Sequence, residues 1–523
     1  MSSYNVIGRI ANVSKTKAEW TSSDPVLNSG EIGYESDTGN WKLGDGTSKW
    51  SELNYRGIKE IIIDSALSDT SANPVQNAVI TNRIVPLESR MTNAENKISS
   101  IISDAVIYGF QINPGESSPS AAVTYLLDAI GMTPAHMDYT TGTFNYGSWE
   151  NAFFMPRPCM VKYDGTVDYY LDPNDYSKKE DGTTDSDIAN TDYEGNAMME
   201  WGRNGEQIWY RVEPYSYNNI ENIGARVYIS NRKINDDYHC WSFIDSEGNI
   251  KDHFYTSIYN GSKITGSDSV VRLRSLSGQM PCHNTTPANE ATYAMANATD
   301  SSKVSWYIAT YADMILISFL LTLIGKSLDT QTVFGYGCAN DYDDTHPTGS
   351  GYYGIHASGE TNDKGLFWGS NVTTKGSCKP VKVFGMENYW GNLWQRIAGL
   401  VNDHGVEKVK LTWGTEDGST GTGYQLGSSS VTGFLTVCNA PTSNGYVKYW
   451  YYTPYGAAVQ YNTSGGSAST YYCDYSWWAN TNLCVAVFGG SVGSGSDCGS
   501  WCVNLDASWS HSYWNIGASP SLR

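Results

Sequence analysis

Two cysteines near the C-terminus have a spacing that could support thiol chemistry. Cys498 and Cys502 follow the turn Gly489–Ser491 and are separated by three residues. A thiol that does redox or metal chemistry must ionise, which it does beside Lys, Arg or a protonated His. No such residue lies beside either cysteine. Buried free thiols are therefore the simpler interpretation, and disulfides within the C-terminal group of cysteines stay an alternative.

Oxygen-bearing side chains gather at a second position. Asn340, Asp341, Asp343 and Asp344 stand close together in the chain, and calcium prefers several carboxylate and carbonyl oxygens. The spacing differs from the EF-hand pattern, so a solvated acidic loop is the interpretation that we favour. We expect no cofactor, with a structural calcium ion as the open alternative.

The segment 471–523 carries a different signal. It mixes Trp and Tyr with Ser, Gly, Asn and Asp and contains almost no Lys or Glu. Rigid aromatic rings among small hydrogen-bonding side chains are typical of recognition surfaces. This composition predicts binding without catalysis.

Length and charge limit the remaining classes. A chain of 523 residues exceeds one compact core and should divide into about two to four units. The formal net charge of −20 argues against nucleic-acid binding, which needs clustered Lys and Arg. The longest apolar run, Met314–Gly325, is too short to span a bilayer and predicts a buried helix. We expect neither a nucleic-acid partner nor membrane insertion.

Residues 7–55 form an opening β-module. Apolar and polar residues alternate around Ile32 and Trp41, and turns at Asp37–Asn40 and Gly44–Gly46 can adopt positive φ. The order GEIG, DTG, KLGDGT and Trp also resembles the N-terminal repeat of phage tail-fibre proteins, in particular that of the major tropism determinant family. This resemblance implies that the module attaches to other phage tail proteins.

A heptad pattern follows the module. Apolar residues recur at alternating spacings of three and four, at Ile84, Leu87, Met91, Ala94, Ile98, Ile101 and Ala105. About three heptads is the minimum that predicts a coiled coil, and Ile at both core positions favours three strands or more. A lone amphipathic helix packing on its own domain is the alternative. With the tail-fibre resemblance, the pattern predicts a homotrimer.

Strands and helices do not alternate regularly beyond residue 105, which predicts an α+β fold and not a doubly wound sheet. We expect a connecting region at 106–150 with one helix at 120–131, and a long helical segment at 290–326. Candidate strands are 160–165, 208–217, 225–230 and 239–245.

Three C-terminal pieces carry a second resemblance. FGMENYWGNLWQRIAG (384–399), FGGS (488–491) and WNIGAS (514–519) together resemble the C-type lectin fold of the formylglycine-generating-enzyme type. The same fold serves in variable proteins diversified by retroelement reverse transcriptases. The resemblance covers roughly residues 151–523. It implies a lectin-like domain whose C-terminal region, about 471–523, varies.

The enzymes of this type place a redox cysteine pair after the GGS element, flanked by arginines. Here the spacing of Cys498 and Cys502 departs from that pattern, the flanking arginines are missing, and Ala518 and Ser519 stand where Arg is expected. The resemblance therefore favours a binding protein. A copper or thiol oxidase is one alternative, and a purely structural tail-fibre component is another.

The resemblance to variable proteins implies a set of ligand-binding positions. We expect them at Tyr475, Ser476, Ala479, Thr481, Leu483, Ser491, Val492, Gly493, Ser494, Asp497, Asp506, Ala507, Trp509, His511 and Tyr513. We expect a rigid scaffold from Trp390, Asn392, Trp394, Gly489, Gly490, Trp501, Trp514 and Gly517.

Together these resemblances predict a phage receptor-binding tail protein without enzymatic activity, located at the tail tip of the virion. Its partner would be a bacterial surface receptor, either a protein or a glycan. The predicted domains are a tail-attachment module (1–60), a linker and coiled coil (61–105), a connecting region (106–150) and a lectin-like receptor-binding domain (151–523).

Overall fold

The structure is a computed structural model that describes residues 13–56, 105–346, 352–479 and 481–523. The chain divides into two compact units, Met1–Ser99 and Ser100–Arg523. Apart from Ala105, the heptad pattern lies outside the described residues, so the coiled coil stays a prediction. Among the residues described, none of the helices combines the length and the apolar character needed to cross a lipid bilayer.

The first unit is a small sheet with one helix. Its elements are β1 (Val13–Lys15), α1 (Lys17–Ser23), β2 (Ile32–Glu35), β3 (Trp41–Leu43) and a 3-10 turn (Trp50–Glu52). Strands β2 and β3 pair antiparallel within the predicted β-module, whereas β1 pairs with β2 in parallel and α1 was not predicted. Trp20 and Trp50 stack with ring centroids 4.3 Å apart and form the centre of a small core.

The second unit is rich in sheet. Its strands are β4 (Ile107–Ile112), β5 (Val123–Leu127), β6 (His136–Asp138), β7 (Thr143–Asn145), β8 (Arg157–Lys162), β9 (Val167–Tyr170), β10 (Gly195–Trp201), β11 (Trp209–Tyr217), β12 (Ile220–Ser230), β13 (Phe254–Ser257), β14 (Ser262–Thr265), β15 (Val271–Arg274), β16 (Trp306–Ile308), β17 (Lys382–Val383), β18 (Met386–Glu387), β19 (Trp394–Asp403), β20 (Val406–Val409), β21 (Leu435–Asn439), β22 (Gly445–Tyr446), β23 (Tyr449–Tyr452), β24 (Ala458–Asn462), β25 (Tyr475–Trp478), β26 (Leu483–Phe488), β27 (Val503–Leu505), β28 (Ile516–Gly517) and β29 (Pro520–Leu522). Its α-helices are α2 (Pro287–Met295), α3 (Tyr311–Gly325) and α4 (Thr330–Phe334), and single 3-10 turns lie at Arg203–Gly205, Trp241–Phe243, Tyr352–Gly354 and Gly495–Asp497.

Three sheets carry most of this unit. An eight-stranded sheet has the order β21-β20-β19-β26-β27-β25-β22, with β28 paired to β19. A six-stranded sheet has the order β16-β29-β13-β10-β8-β9, and a four-stranded sheet has the order β11-β12-β4-β5. The result is an α+β fold dominated by sheet, as the irregular order of predicted elements indicated.

Helix α3 is buried along its whole length. Thr310 begins it with a capping box in which its side chain and that of Asp313 satisfy each other's backbone amides. A helix that is apolar on every face belongs inside a large core. The prediction of a buried helix from the apolar run is therefore confirmed.

Three predictions of local structure were wrong in the second unit. The predicted helix at 120–131 is absent, because Val123–Leu127 within it forms strand β5 and pairs with β4 in the register Phe110↔Tyr125. The candidate strand 239–245 contains a 3-10 turn. The helical segment 290–326 is interrupted by β16, which pairs with the C-terminal strand β29. In the first and third cases, pairing with a distant strand overrides helix propensity.

Candidate ligand-binding surface

The C-terminal segment lies at the centre of the second unit. Strand β26 pairs with β19 on one side and β27 on the other, while β29 pairs with both β13 and β16. The loops between these strands are therefore held by the main sheets. The exposed side chains of these loops are therefore held by a rigid scaffold.

Asn392 connects parts of this frame from beneath. Its Nδ2 donates to the His356 carbonyl at 3.0 Å and to Asn260 Oδ1 at 3.2 Å, while its Oδ1 accepts from the His356 amide at 2.8 Å. The Asn392 carbonyl accepts from the Val492 amide at 3.2 Å. Asn392 is fully buried, so loss of its side chain would leave the backbone groups of His356 and the Asn260 side chain without these partners. This is the scaffold role that the sequence predicts.

Gly489 and Gly490 allow the chain to approach its neighbours closely. Both have positive φ, 89° and 84°. A Cβ would lie 2.9 Å from the Tyr389 carbonyl oxygen at Gly489 and 2.3 Å from Cys498 Sγ at Gly490. Only glycine fits these two positions without displacing its neighbours.

Asp474 and Trp501 join the loop after residue 498 to the core. Asp474 is almost fully buried and accepts a hydrogen bond from the Trp501 amide at 2.7 Å. Burial raises the pKa of Asp474 well above its ordinary value. The Trp501 Nε1 donates to Thr322 of α3 at 3.3 Å, and its ring lies 5.8 Å from that of Phe319. Helix α3 thus supports the loop from below.

The cysteine pair is inside the same loop. Cys498 and Cys502 are fully buried free thiols. Burial raises the pKa of both thiols well above its ordinary value, and the carboxyls of Asp474 and Asp497 raise it further. Such thiols stay protonated at neutral pH and are weak nucleophiles and metal ligands. The geometry therefore favours a structural role for the pair over the thiol-oxidase alternative.

The acidic loop has partners within the protein. Asp341 Oδ2 and Glu360 Oε1 lie 2.8 Å and 2.7 Å from the two ring nitrogens of His356. Asp343 accepts from Thr345 Oγ1 at 2.6 Å. The carboxylates of Asp341 and Asp343 are thus already engaged within the protein, which favours the acidic-loop interpretation over a calcium site. Within the described ranges, no three His, Cys, Asp or Glu side chains converge as metal ligands would.

The predicted binding residues differ in exposure. Those with buried side chains are Ser476, Leu483, Ser491, Val492 and Ala507. Those that are at least partly exposed are Tyr475, Ala479, Thr481, Gly493, Ser494, Asp497, Asp506, Trp509, His511 and Tyr513. The buried residues cannot reach a ligand here, since β26 is buried on both faces and Val492 packs against Ile355 and Leu393.

One group of exposed residues forms around the loops 491–497 and 511–515. Asn515 Nδ2 donates to Ser491 Oγ at 3.2 Å, which ties the two loops together. The rings of His511 and Tyr513 stack with centroids 5.5 Å apart. Gly493 and Tyr513 are the most exposed of this group.

Other predicted residues lie in two further groups. The Trp509 amide donates to the Leu483 carbonyl at 3.1 Å, which places Trp509 beside the loop that carries Thr481. Tyr475 lies 5.1 Å from the Tyr446 ring. Tyr446 was not predicted, although it is an aromatic residue in a short strand and pairs directly with Tyr475.

Sequence reasoning also missed aromatic residues far upstream that join the first group. Trp514 lies 5.2 Å from Tyr342 and 4.6 Å from Tyr353 between ring centroids, and Tyr352 lies 4.7 Å from Tyr353. We call Tyr342, Tyr352, Tyr353, Tyr513 and Trp514 the surface aromatic cluster. The available signal was tyrosine in loops rich in Gly and Asp, a composition typical of recognition surfaces.

A buried ion pair anchors the loop that carries Tyr513. Arg396 of β19 and Glu290 of α2 are fully buried, with Nε and Oε2 2.5 Å apart. Arg396 Nη2 also donates to the His511 carbonyl at 3.0 Å. Burial raises the pKa of Glu290 to about 7, although Arg396 opposes this shift. The pair thus holds the position of a surface loop from inside the protein.

Comparisons with known proteins point to phage tails. Residues 15–48 match the Major tropism determinant N-terminal domain. The chain is 28% identical over 142 residues to a protein named hyaluronoglucosaminidase from Streptococcus pyogenes phage H10403, covering 27% of this chain and 42% of that protein. The chain thus spans less than half the length of this curated relative.

Two solved structures are also similar to this chain. The Major Tropism Determinant U1 variant is 12% identical, with 98% of each chain covered and a TM-score of 0.21. A group A streptococcal phage-encoded tail-fibre showing hyaluronan lyase activity is 31% identical over 14% of this chain and 24% of that chain, with a TM-score of 0.11.

Residues 15–48 match a domain of the major tropism determinants, and the curated relative is a phage protein, so this chain is similar to phage tail proteins. Its predicted location in the virion tail is confirmed. More narrowly, the chain resembles the tropism determinants of phage tail fibres, because its residues 15–48 match their N-terminal domain.

Proposed function

We propose that this protein is the tropism-determining component of a phage tail and adheres to a bacterial surface ligand through the exposed loops of its C-terminal unit. The observation that carries the proposal is the set of small polar and aromatic side chains held outward between central strands. Buried Asn392, Asp474 and Arg396 anchor those loops. A rigid frame lowers the entropy cost of binding.

The proposal includes the architecture predicted from the sequence. A module at 1–60 attaches to other tail proteins, and a linker with a coiled coil at 61–105 makes a homotrimer. Residues 106–150 connect this part to a C-type lectin-like domain at 151–523. Strands β4 and β5 of the connecting region pair with each other, and β4 also pairs with β12, so this region is part of the C-terminal unit. We also propose that the exposed positions within 471–523 vary between relatives.

Adsorption to host cells tests the proposal directly. Deleting residues 471–523 is unsuitable because β26 and β27 lie inside the main sheet. Exposed residues are better targets, so Thr481, Asp506 and Tyr513 would be changed together to Ala. We expect adsorption of the purified protein to fall tenfold or more, about 1.4 kcal/mol, with an unchanged unfolding temperature. A triple variant that still adsorbs like the wild type would contradict the proposal.

Binding without catalysis is the second part of the proposal. The buried, protonated thiols described above favour it over the oxidase alternative. The glycosidase name of the partial relative motivates a direct assay. We expect no change in hyaluronan chain length after incubation with the protein, measured by size-exclusion chromatography against a hyaluronidase control. Shortened hyaluronan would show that the protein is an enzyme.

A further inference from the structure

The surface aromatic cluster is a continuous surface built from two distant parts of the chain. Tyr342 and Tyr353 lie with ring centroids 6.1 Å apart and both lie next to Trp514. Tyr342 is 37% exposed and Tyr513 is 49% exposed. Exposed, adjacent Tyr and Trp rings are the residues that most often dominate binding energy in protein interfaces.

The segments that carry the rings contain carboxylates and lack Lys and Arg. Asp343 and Asp344 follow Tyr342 directly, and no Lys or Arg occurs in the segments 340–344, 352–354 and 511–515 that carry the rings. Asp344 is exposed. Burial and the nearby carboxylate of Asp344 raise the pKa of the Tyr342 hydroxyl. The whole chain is also acidic, with a net charge of −20.

We infer that the surface aromatic cluster binds Lys or Arg side chains of a protein receptor, with the exposed Asp344 as the flanking counter-charge. This inference rests on the proposed function and names the chemistry of its partner. A cation over the face of Tyr or Trp is attracted by the ring, and charge complementarity adds to this attraction. Both features are present in one place.

Other surface ligands fit less well. A polymer that carries quaternary ammonium groups beside phosphates would bring its phosphates close to Asp343 and Asp344, and like charges repel. A neutral glycan could stack on the rings, but its binding would depend neither on the Asp344 carboxylate nor on ionic strength. A basic protein surface uses the rings and this carboxylate together.

The first test uses a nona-arginine peptide as the probe and isothermal titration calorimetry on the full-length protein. Tyr342→Ala and Asp344→Asn should each weaken peptide binding about threefold or more. The matched controls are Tyr34→Ala, in which the original ring is exposed to the same extent (38%), and Asp252→Asn, which removes one exposed charge elsewhere. The controls should bind like the wild type.

Two outcomes of this titration would overturn the inference. Either Tyr342→Ala and Asp344→Asn bind as tightly as the wild type, or the controls weaken binding equally, so that the peptide responds only to overall charge. Unfolding temperatures of all four variants must match the wild type. If Tyr342→Ala does not fold, Tyr342→Phe with its intact ring should bind like the wild type, and weakened binding there would count against the inference.

A second test separates this inference from the proposed function. Adsorption to host cells should fall as salt rises from about 50 mM to 500 mM, because screening weakens charge pairing. If adsorption changes neither with salt nor with Asp344→Asn, the inference is overturned and a neutral glycan is indicated, while the proposed function would stand. No adsorption to any strain would contradict the proposed function, and the peptide titration would then decide the inference alone.

Discussion

Burial and hydrogen bonding act in opposite directions on His356. Burial alone would lower the pKa of this imidazole, but hydrogen bonds to Asp341, Cys338 and Glu360 outweigh burial and raise it to about 12. The ring is thus a cation at neutral pH and lies between two carboxylates. Because Asn392 holds the His356 backbone, this charged group is part of the frame below the surface loops.

This charge makes stability depend on pH in a defined direction. A group whose pKa is raised in the folded state stabilises the fold fully at pH values below its ordinary pKa, which is about 6.5 for His. This stabilisation declines as the pH rises towards the pKa of the folded state. The free energy of unfolding should therefore fall more steeply between about pH 7 and about pH 9 in the wild type than in His356→Gln. Urea unfolding at each pH measures it.

The exposed His404, paired with Asp403 at 2.7 Å, provides the control for this experiment. His404→Gln should keep the pH slope of the wild type, because a surface pair contributes little. Equal slopes for the wild type and His356→Gln would show that the buried charge does not stabilise the fold.

The amide of Asn392 should matter for stability more than its size suggests. Asn392→Ala leaves the His356 amide and carbonyl without their partner, and each unsatisfied buried group costs about 1–3 kcal/mol. We expect a loss of at least about 2 kcal/mol in the free energy of unfolding. Asn371→Ala, at an exposed asparagine, should change it by less than about 0.5 kcal/mol. Similar losses in both variants would contradict this role.

At the scale of elements, the surface loops depend on contacts between α2, α3 and the eight-stranded sheet. Glu290 and Arg396 join α2 to β19 and reach the His511 carbonyl. Thr322 and Phe319 of α3 support Trp501. The loops that carry exposed side chains therefore owe their positions partly to residues of these two helices that are buried beneath them.

Breaking the buried ion pair should be much more costly than replacing it. Arg396→Met leaves Glu290 buried without its counter-charge and should destabilise the protein by about 3–5 kcal/mol. The double variant with Glu290→Leu should recover most of that loss, since apolar residues can replace a buried pair. Lys178→Ala, at the exposed pair with Asp185, should cost under about 1 kcal/mol. Chemical unfolding of all variants measures these differences.

A double variant as unstable as Arg396→Met would show that the pair itself stabilises the fold. In that case the geometry of its hydrogen bonds, including the one to the His511 carbonyl, would outweigh the cost of removing both charges from water.

At the scale of the whole molecule, the expected trimer would present several receptor-binding surfaces together. Linked sites can raise overall binding by about 10²–10⁴ when geometry allows simultaneous contact. Weak single contacts by small polar and aromatic side chains would then be sufficient for adhesion. The heptad residues at 84–105 are the part of the chain on which this expectation depends.

The trimer can be tested at the heptad positions. Ile98→Asp with Ile101→Asp places charges at two predicted core positions and should convert the trimer to a monomer, measured by light scattering after size-exclusion chromatography. Adsorption to cells should fall by about 100-fold or more. Ser99→Asp with Ser100→Asp, at positions outside the predicted core, should change neither property. A wild-type protein that is already monomeric would show that the coiled-coil prediction is wrong.

The sequence by itself determined the features that depend on local patterns. The GEIG–DTG–KLGDGT order predicted the N-terminal β-module and its tail-fibre match, because turn chemistry is local. The continuous apolar run Met314–Gly325 predicted a buried helix, which the structure has at Tyr311–Gly325, and the irregular order of elements predicted an α+β fold. The scaffold role of Asn392 and the close approach at Gly490 also follow from residue type.

Only the tertiary structure decided which side chains reach the surface and which distant residues meet there. Val492 and Ala507 look like loop residues in the sequence but are buried, whereas Tyr342 joins Trp514 across more than a hundred residues of chain. Strand β5 replaced a predicted helix because β4 was available to pair with it. In each case the stabilising free energy comes from contacts between segments that are distant in the chain. These contacts cannot be predicted from a local pattern of residues.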